Sequence, residues 1–293
     1  MVKTKIQNFL IRNPLFNKHL MNKVGYKRYI SAKNRILPNF LILGAHKAGS
    51  SSLYLNLIKH PNILPAITKE IMYFDAYYGS TKWYKANFPL KKEYEKVLRE
   101  KDICRVGEAT PQYLFHPLVP ERVKKTIPNT KFIVALRNPI DRAYSHYNHN
   151  IYKKIEPLDF QQALEKRKDK LERAKELTLK NDVNGIRYYE NFSYLEKGEY
   201  ASQLEKWFKL FSKNQFFIFK TEDLNQKTWK MIFNFLDLPD FDFKEEKFSV
   251  RTDYQTHKWE PMKESERKWL VEYYKTHNEK LAKLLDIELD WDR

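Results

Sequence analysis

The sequence predicts a single α/β domain over residues 38–293, a central, mostly parallel sheet flanked by helices on both faces, preceded by a basic helical arm over residues 1–37. Three observations predict it. Four short segments, Phe40-Leu41-Ile42-Leu43, Ile103–Val106, Phe132–Leu136 and Phe216–Phe219, read as strands whose apolar residues run on rather than alternate. That is the pattern of parallel strands covered on both faces. Helical patterns fill the intervals between them, and the first strand runs through a turn of small residues straight into a helix, the opening of a βαβ unit.

In chain order, the first strand stops at Gly44. Ala45-His46-Lys47-Ala48-Gly49-Ser50-Ser51-Ser52 follows, then Leu53, Tyr54, Leu57 and Ile58 at helical spacing until Pro61 closes the helix. Gly107 stops the second strand and Arg137-Asn138-Pro139 the third. Helices are predicted near Pro120–Thr126, Asp141–Asn150, Tyr200–Phe211, Thr228–Leu236 and Glu264–Leu285. The charge-dense stretch Asp159–Lys180 reads as a solvated helix on the rim. Asn181–Lys197, aromatic and polar without a clear period, reads as a loop or lid beside a cleft.

The chain has 293 residues, enough to bury a large core, and 19 Phe, 19 Tyr and 6 Trp supply bulk for it. Only 7 Gly are present, which argues against disorder or low complexity. The net charge of +17 fits a polyanionic partner (nucleic acid, an acidic membrane surface, an anionic glycan or a nucleotide) and equally a lysine-rich solvated surface, so charge does not decide function. Cys104 is the only cysteine, which rules out an intrachain disulfide and suits a reducing, cytoplasmic setting. No run of about 18 apolar residues exists for a membrane span. The arm's Ile6, Phe9, Leu10, Leu15, Phe16 and Leu20 form either an amphipathic stripe for a membrane surface or a face packed on the domain.

A small-residue turn between strand and helix exposes backbone N–H groups at the positive end of the helix dipole, which favours a bound phosphate or sulfate. Lys47 adds a full charge; Ser50, Ser51 and Ser52 add hydroxyls. An ordinary capped connection is the alternative. A nucleoside-triphosphatase loop, G-x-x-x-x-G-K-[ST], is a poorer match. Gly44 and Gly49 have its separation, but Ser50 and Ser51 stand where Lys and Ser/Thr belong, and no strand ends in an acid for magnesium. At the end of the third strand, Arg137 offers a planar fork to a second phosphate, and Ser145, within the following helix, adds a hydroxyl.

The run Phe40–Leu53 resembles the phosphosulfate-binding loop of sulfotransferases, in the branch of heparan sulfate sulfotransferases and their bacterial relatives. The resemblance spans roughly Pro38–Trp291 and implies a P-loop-like site for 3′-phosphoadenosine-5′-phosphosulfate in which Lys47, Ala48, Gly49, Ser50, Ser51 and Ser52 grip the 5′-phosphosulfate. Arg137 and Ser145 match the family's 3′-phosphate ligands. Lys69-Glu70-Ile71-Met72-Tyr73-Phe74-Asp75 resembles its catalytic-base motif, which makes Glu70 the base. Gly107-Glu108-Ala109-Thr110-Pro111 resembles its Glu-Lys-Thr-Pro segment with Ala109 in place of the lysine. Glu108 and Thr110 are then expected on the acceptor side. Lys258 keeps one cation in the loop that closes over the 3′-phosphate, where relatives have Lys-Gly-Arg.

These readings converge on a sulfotransferase that moves a sulfuryl group to an acceptor hydroxyl, on a carbohydrate or glycolipid, by in-line displacement. No metal is required, no His/Cys/Asp cluster has ligand spacing, and nucleic acid is not the expected partner. An ATP-dependent kinase-like phosphotransferase and a non-catalytic polyanion-binding module are the alternatives.

Overall fold

A computed structural model of the chain describes residues 18–242 and 259–291. Five strands form one sheet: β1 (Phe40–Gly44), β2 (Ile63–Pro65), β3 (Arg105–Ala109), β4 (Lys131–Leu136) and β5 (Phe216–Lys220), in the order β2-β3-β1-β4-β5. Every pairing is parallel. All four predicted strands are present, but the one expected over Ile103–Val106 runs from Arg105 through Gly107 to Ala109, because Gly107 pairs with Phe40 within the sheet instead of ending the strand. β2 was not predicted: it is three residues at a sheet edge, ending in Pro65, too short to show a period and placed where a missing N–H is tolerated.

The continuous apolar runs are explained by burial on both faces. Phe40, Leu41, Ile42 and Leu43 are fully buried, as are Phe132, Ile133 and Val134. Phe40 pairs in register with Gly107, and a Cβ added at Gly107 would collide with the Phe40 ring, so the glycine makes room for an aromatic at the centre of the sheet. The edge strand β5 is only half-buried along its length.

The flanking helices among the described residues are α1 (Lys18–Val24), α2 (Tyr26–Ile30), α3 (Ser50–Leu57), α4 (Thr81–Ala86), α5 (Lys91–Lys101), α6 (Val119–Thr126), α7 (Pro139–Tyr152), α8 (Phe160–Leu179), α9 (Val183–Phe192), α10 (Tyr200–Phe208), α11 (Gln226–Phe235) and α12 (Glu264–Leu285). α3 packs on β1 and β3, while α12 packs on α10 and α7. The stretch 181–197, predicted as a loop or lid, is instead largely the helix α9, packed along α8. Its inner face carries Ile186, Tyr189 and Phe192 but also Glu190, and that buried acid hides the helical stripe from a hydropathy reading.

The described part of the arm lies against the domain. Leu20 and Val24 join the main core, and Trp83 Nε1 donates to the Leu20 carbonyl at 2.8 Å. Arg28 donates to the carbonyls of Ala86 and Phe88, both at 2.8 Å, and Arg35 to that of Phe88 at 2.7 Å. Guanidinium groups thus satisfy carbonyls at and just beyond the C-terminus of α4, where the helix dipole also favours cations. Ile6, Phe9, Leu10, Leu15 and Phe16 lie outside the described residues.

In this strand order the chain leaves β1 toward one edge of the sheet and β4 toward the other. The carboxyl ends of these neighbours therefore frame the crevice where such sheets bind ligands.

Candidate active site

The loop after β1 is built tightly enough to aim its backbone. Ala45 N donates to the carbonyl of Ala135 on β4 at 2.7 Å, and Ala48 N closes a turn onto Ala45 at 3.1 Å. Lys47 and Gly49 both take left-handed conformations, with φ of 71° and 78°. A Cβ built on Gly44 would lie 2.9 Å from the Pro111 carbonyl oxygen, so this close approach admits no side chain. No side chain caps α3 at Gly49, which leaves the N–H groups of the first turn for a ligand or solvent. Ser50 is buried, and Ser51 and Ser52 are partly exposed.

The end of β4 locks onto this loop. Arg137 Nη1 donates to the Lys47 carbonyl at 3.1 Å, and Tyr200 Oη donates to the Arg137 carbonyl at 2.8 Å. Asn138 caps α7 by accepting from Ile140 N at 3.0 Å. Ser145 lies two turns into α7 and is partly exposed. The two halves read separately from sequence, Lys47 to Ser52 and Arg137 to Ser145, therefore meet at the ends of adjacent strands.

The site is cationic. Burial, then Arg137, Lys153 and Arg142, pushes the Lys47 ammonium down to about 8, with Glu70 opposing. His46 is half-buried, with its Nδ1 atom buried and without a partner among the described residues, and desolvation, then Lys197, Lys47 and Arg142, holds its ring well below its usual range. Its ring meets that of His146 edge-on at 4.7 Å. Cations that lower each other's pKa lack enough opposing charge. A polyanionic ligand supplies it, so the donor set fits a nucleotide carrying phosphate and sulfate groups.

Glu70 stands on the neighbouring loop, in a left-handed conformation with φ 58°, as Lys47 is. Such conformations are uncommon away from glycine and concentrate where surrounding structure enforces them, often at active sites. Here Glu70 N donates to the Ala109 carbonyl at the end of β3 at 2.9 Å. The Glu70 carboxylate is half-exposed and paired with Lys69. Lys23 of the arm joins this region, with its ammonium 5.4 Å from the Tyr77 ring centroid and within the fields of Asp75 and Glu70.

Two expectations are corrected. Glu108 and Thr110, expected to face the acceptor, are buried to 0% and 1% exposure. The Glu108 carboxylate accepts from Tyr84 Oη at 2.7 Å, Tyr113 Oη at 3.1 Å and Thr110 Oγ1 at 3.1 Å. Thr110 Oγ1 also accepts from Met72 N at 3.4 Å, and Tyr113 Oη from Tyr73 N at 3.0 Å. Through the bonds from Met72 N and Tyr73 N the pair anchors the Glu70 loop from below, and the Glu108 carboxylate is taken up by three hydroxyls inside the core. Lys258 lies outside the described residues.

Several contributors were missed in the sequence. Thr221 and Tyr200 hold the loop and strand end through single hydroxyls, and nothing in local sequence marks a hydroxyl as a clip. Arg142 is fully buried and donates to the Tyr194 carbonyl, yet its charge also reaches Lys47. A signal existed for the histidines: His46 sits in the turn, and His146 and His149 lie one and four residues beyond Ser145.

The structure thus joins a parallel sheet, a small-residue turn with an uncapped helix start after its central strand and an arginine at the end of the next, an arrangement suited to a group transferase with an anionic donor. Residues 37–284 match the sulfotransferase domain family, and the chain belongs to it. Its class is that of a sulfuryl-transferring enzyme, not a kinase-like phosphotransferase or a passive polyanion-binding module. The chain is 27% identical, over 89% of its length and 68% of the relative's, to the membrane-associated sulfotransferase kil1 of Dictyostelium discoideum. It is 26% identical, over 85% of its length, to a human bifunctional heparan sulfate N-deacetylase/N-sulfotransferase 3, of which it spans only 30%. A sulfotransferase of known structure from Alicyclobacillus acidocaldarius superimposes with a TM-score of 0.64 at 25% identity, covering 88% of this chain and all of that one.

Proposed function

We propose that the protein takes its sulfuryl group from 3′-phosphoadenosine-5′-phosphosulfate and delivers it to a hydroxyl group of a carbohydrate, with Glu70 as base. The observation that carries the donor is the contact between Arg137 and the Lys47 carbonyl at 3.1 Å, which brings the two anion-binding elements to adjacent strand ends. Two such elements fit a nucleotide with phosphate groups at both ends. The resemblance to a heparan sulfate enzyme supports the carbohydrate acceptor.

Bound donor supplies an activated sulfuryl group on a phosphate leaving group. The acceptor oxygen bonds to sulfur as the bond from sulfur to the phosphate oxygen breaks, and the acceptor proton passes to Glu70. Lys47 and the N–H groups at the start of α3 hold the phosphosulfate and oppose charge as it gathers on the leaving oxygen, the preorganised electrostatics that often dominate catalysis. Arg137 and Ser145 hold the 3′-phosphate. Glu70 is the general base, kept in place by its backbone bond to Ala109.

The test has two arms. Calorimetry should give much tighter binding of adenosine 3′,5′-bisphosphate than of AMP; equal affinities would remove the donor assignment. Labelled donor offered to a panel of glycans, lipid alcohols and tyrosine peptides should label the glycans. Label confined to another class would move the acceptor there.

A further inference from the structure

The hydroxyl of Thr221 sits where β5 ends, at a position neither the family match nor the mechanism above assigns. Its Oγ1 lies 3.1 Å from the Ala48 carbonyl and 2.9 Å from the Leu136 carbonyl, positions 173 and 85 residues away in sequence. Ala48 belongs to the loop after β1, and Leu136 is the last residue of β4, directly before Arg137. One hydroxyl proton is thus shared between the two halves of the anion site. We propose that Thr221 is a positioning residue that clips the donor loop to the strand end carrying Arg137, and so sets how tightly a nucleotide with phosphates at both ends is held. The inference rests on the donor reading given above.

The physical reason lies in the peptide unit. In a trans peptide the carbonyl and the next N–H point in opposite directions. Holding the Ala48 carbonyl toward Thr221 therefore turns the Gly49 N–H away from it. Holding the Leu136 carbonyl does the same for the Arg137 N–H. Gly49 has φ 78°, a conformation glycine takes freely and which needs an external contact to be fixed. The Thr221 methyl group stands 3.6 Å from where a Gly49 Cβ would be, so the side chain fills the space beside the loop as well as bonding to it. Around the same point, Glu222 Oε1 accepts from Asn138 N at 3.2 Å, so the residue after Thr221 also fastens the turn that follows Arg137. Thr221 itself makes no claim on substrate; it acts through Gly49 and Arg137.

The experiment compares the wild-type chain with Thr221→Val, which keeps the shape and removes the hydroxyl, and with Thr221→Ser, which keeps the hydroxyl. Each is titrated with adenosine 3′,5′-bisphosphate and with AMP by calorimetry, well below its unfolding midpoint, and its donor KM and kcat are measured. Losing a hydroxyl that leaves buried carbonyls unsatisfied corresponds to about ten- to a hundredfold in an equilibrium constant. Thr221→Val should bind the bisphosphate weaker by that factor with a matching rise in donor KM, and Thr221→Ser should stay within about threefold of wild type. A residue that merely stabilises the fold would lower the unfolding midpoint and leave affinity unchanged. Thr221→Ala serves as the hydroxyl-free variant if the valine protein does not fold. Wild-type affinity in the hydroxyl-free variant, or a serine variant as weak as the valine one, overturns the inference while leaving the donor reading standing. A wild-type protein that does not prefer the bisphosphate to AMP overturns the donor reading, and the inference with it.

Discussion

The guanidinium of Arg137 donates from Nη1 to the carbonyl oxygen of Lys47 at 3.1 Å, joining two residues 90 positions apart in the chain. The contact leaves the other donors of the fork available to a phosphate while fixing the backbone that carries the Lys47 ammonium. A shift of either segment therefore moves the other.

Arg137→Ala should weaken adenosine 3′,5′-bisphosphate by about ten- to a hundredfold, the usual worth of a charged hydrogen bond, and barely touch AMP. The affinity ratio of the two ligands is the readout. An unchanged ratio would mean that the fork does not meet a 3′-phosphate.

Donor binding should weaken as pH rises through about 8, because the Lys47 ammonium of the free enzyme deprotonates there. Burial and the neighbouring Arg137, Lys153 and Arg142 all disfavour its charge. Lys47→Arg stays protonated across this range, so its affinity, whatever its level, should lose that dependence. Calorimetric titrations at pH 6.5, 7.5, 8.5 and 9 would decide, and parallel profiles for the two proteins would exclude Lys47 as the titrating group.

Glu70→Gln keeps the shape of the side chain but cannot accept a proton. Single-turnover sulfuryl transfer should slow by about 10²–10⁴-fold, the typical contribution of a general base, with bisphosphate affinity little changed. A fully active Glu70→Gln protein would place the base elsewhere on the acceptor side.

Glu108 should reveal itself in stability. Burial raises its carboxyl from the ordinary 4.5 to about 7, outweighing the hydroxyls of Tyr84, Tyr113 and Thr110 that favour its charged form. Between those values the folded state holds a proton that the unfolded chain has released. The stability this supplies is complete below about 4.5 and is lost as pH rises through about 7. Glu108→Gln cannot lose a proton, so urea midpoints at pH 5 and pH 8 should converge on, or turn in favour of, the mutant at the higher pH. A constant difference between the two proteins would contradict this.

What was legible in the sequence is what local chemistry dictates. The runs Phe40–Leu43 and Phe132–Leu136 announce parallel strands because residues buried on both faces have no polar face to alternate with. The helix Glu264–Leu285 shows its period and was read to both ends. The small-residue turn with Lys47, and the spacing of Arg137 and Ser145, announce an anion site because few residue types can build one. β2 was not legible, being three residues long, and neither was α9, whose buried Glu190 breaks the apolar stripe.

The sequence by itself determined four of the five strands and marked the two segments proposed to bind the donor, since each rests on neighbours within one element or turn. Only the tertiary structure decided that Glu108 and Thr110 lie beneath the Glu70 loop instead of facing an acceptor. It alone brought the arm's Lys23 near Asp75 and Glu70, and joined Ala48 and Leu136 through Thr221. The reason is physical: burial and hydrogen bonding depend on which distant segments pack together, and a residue's type states what it can bond to but not which partner the fold brings within 3 Å of it.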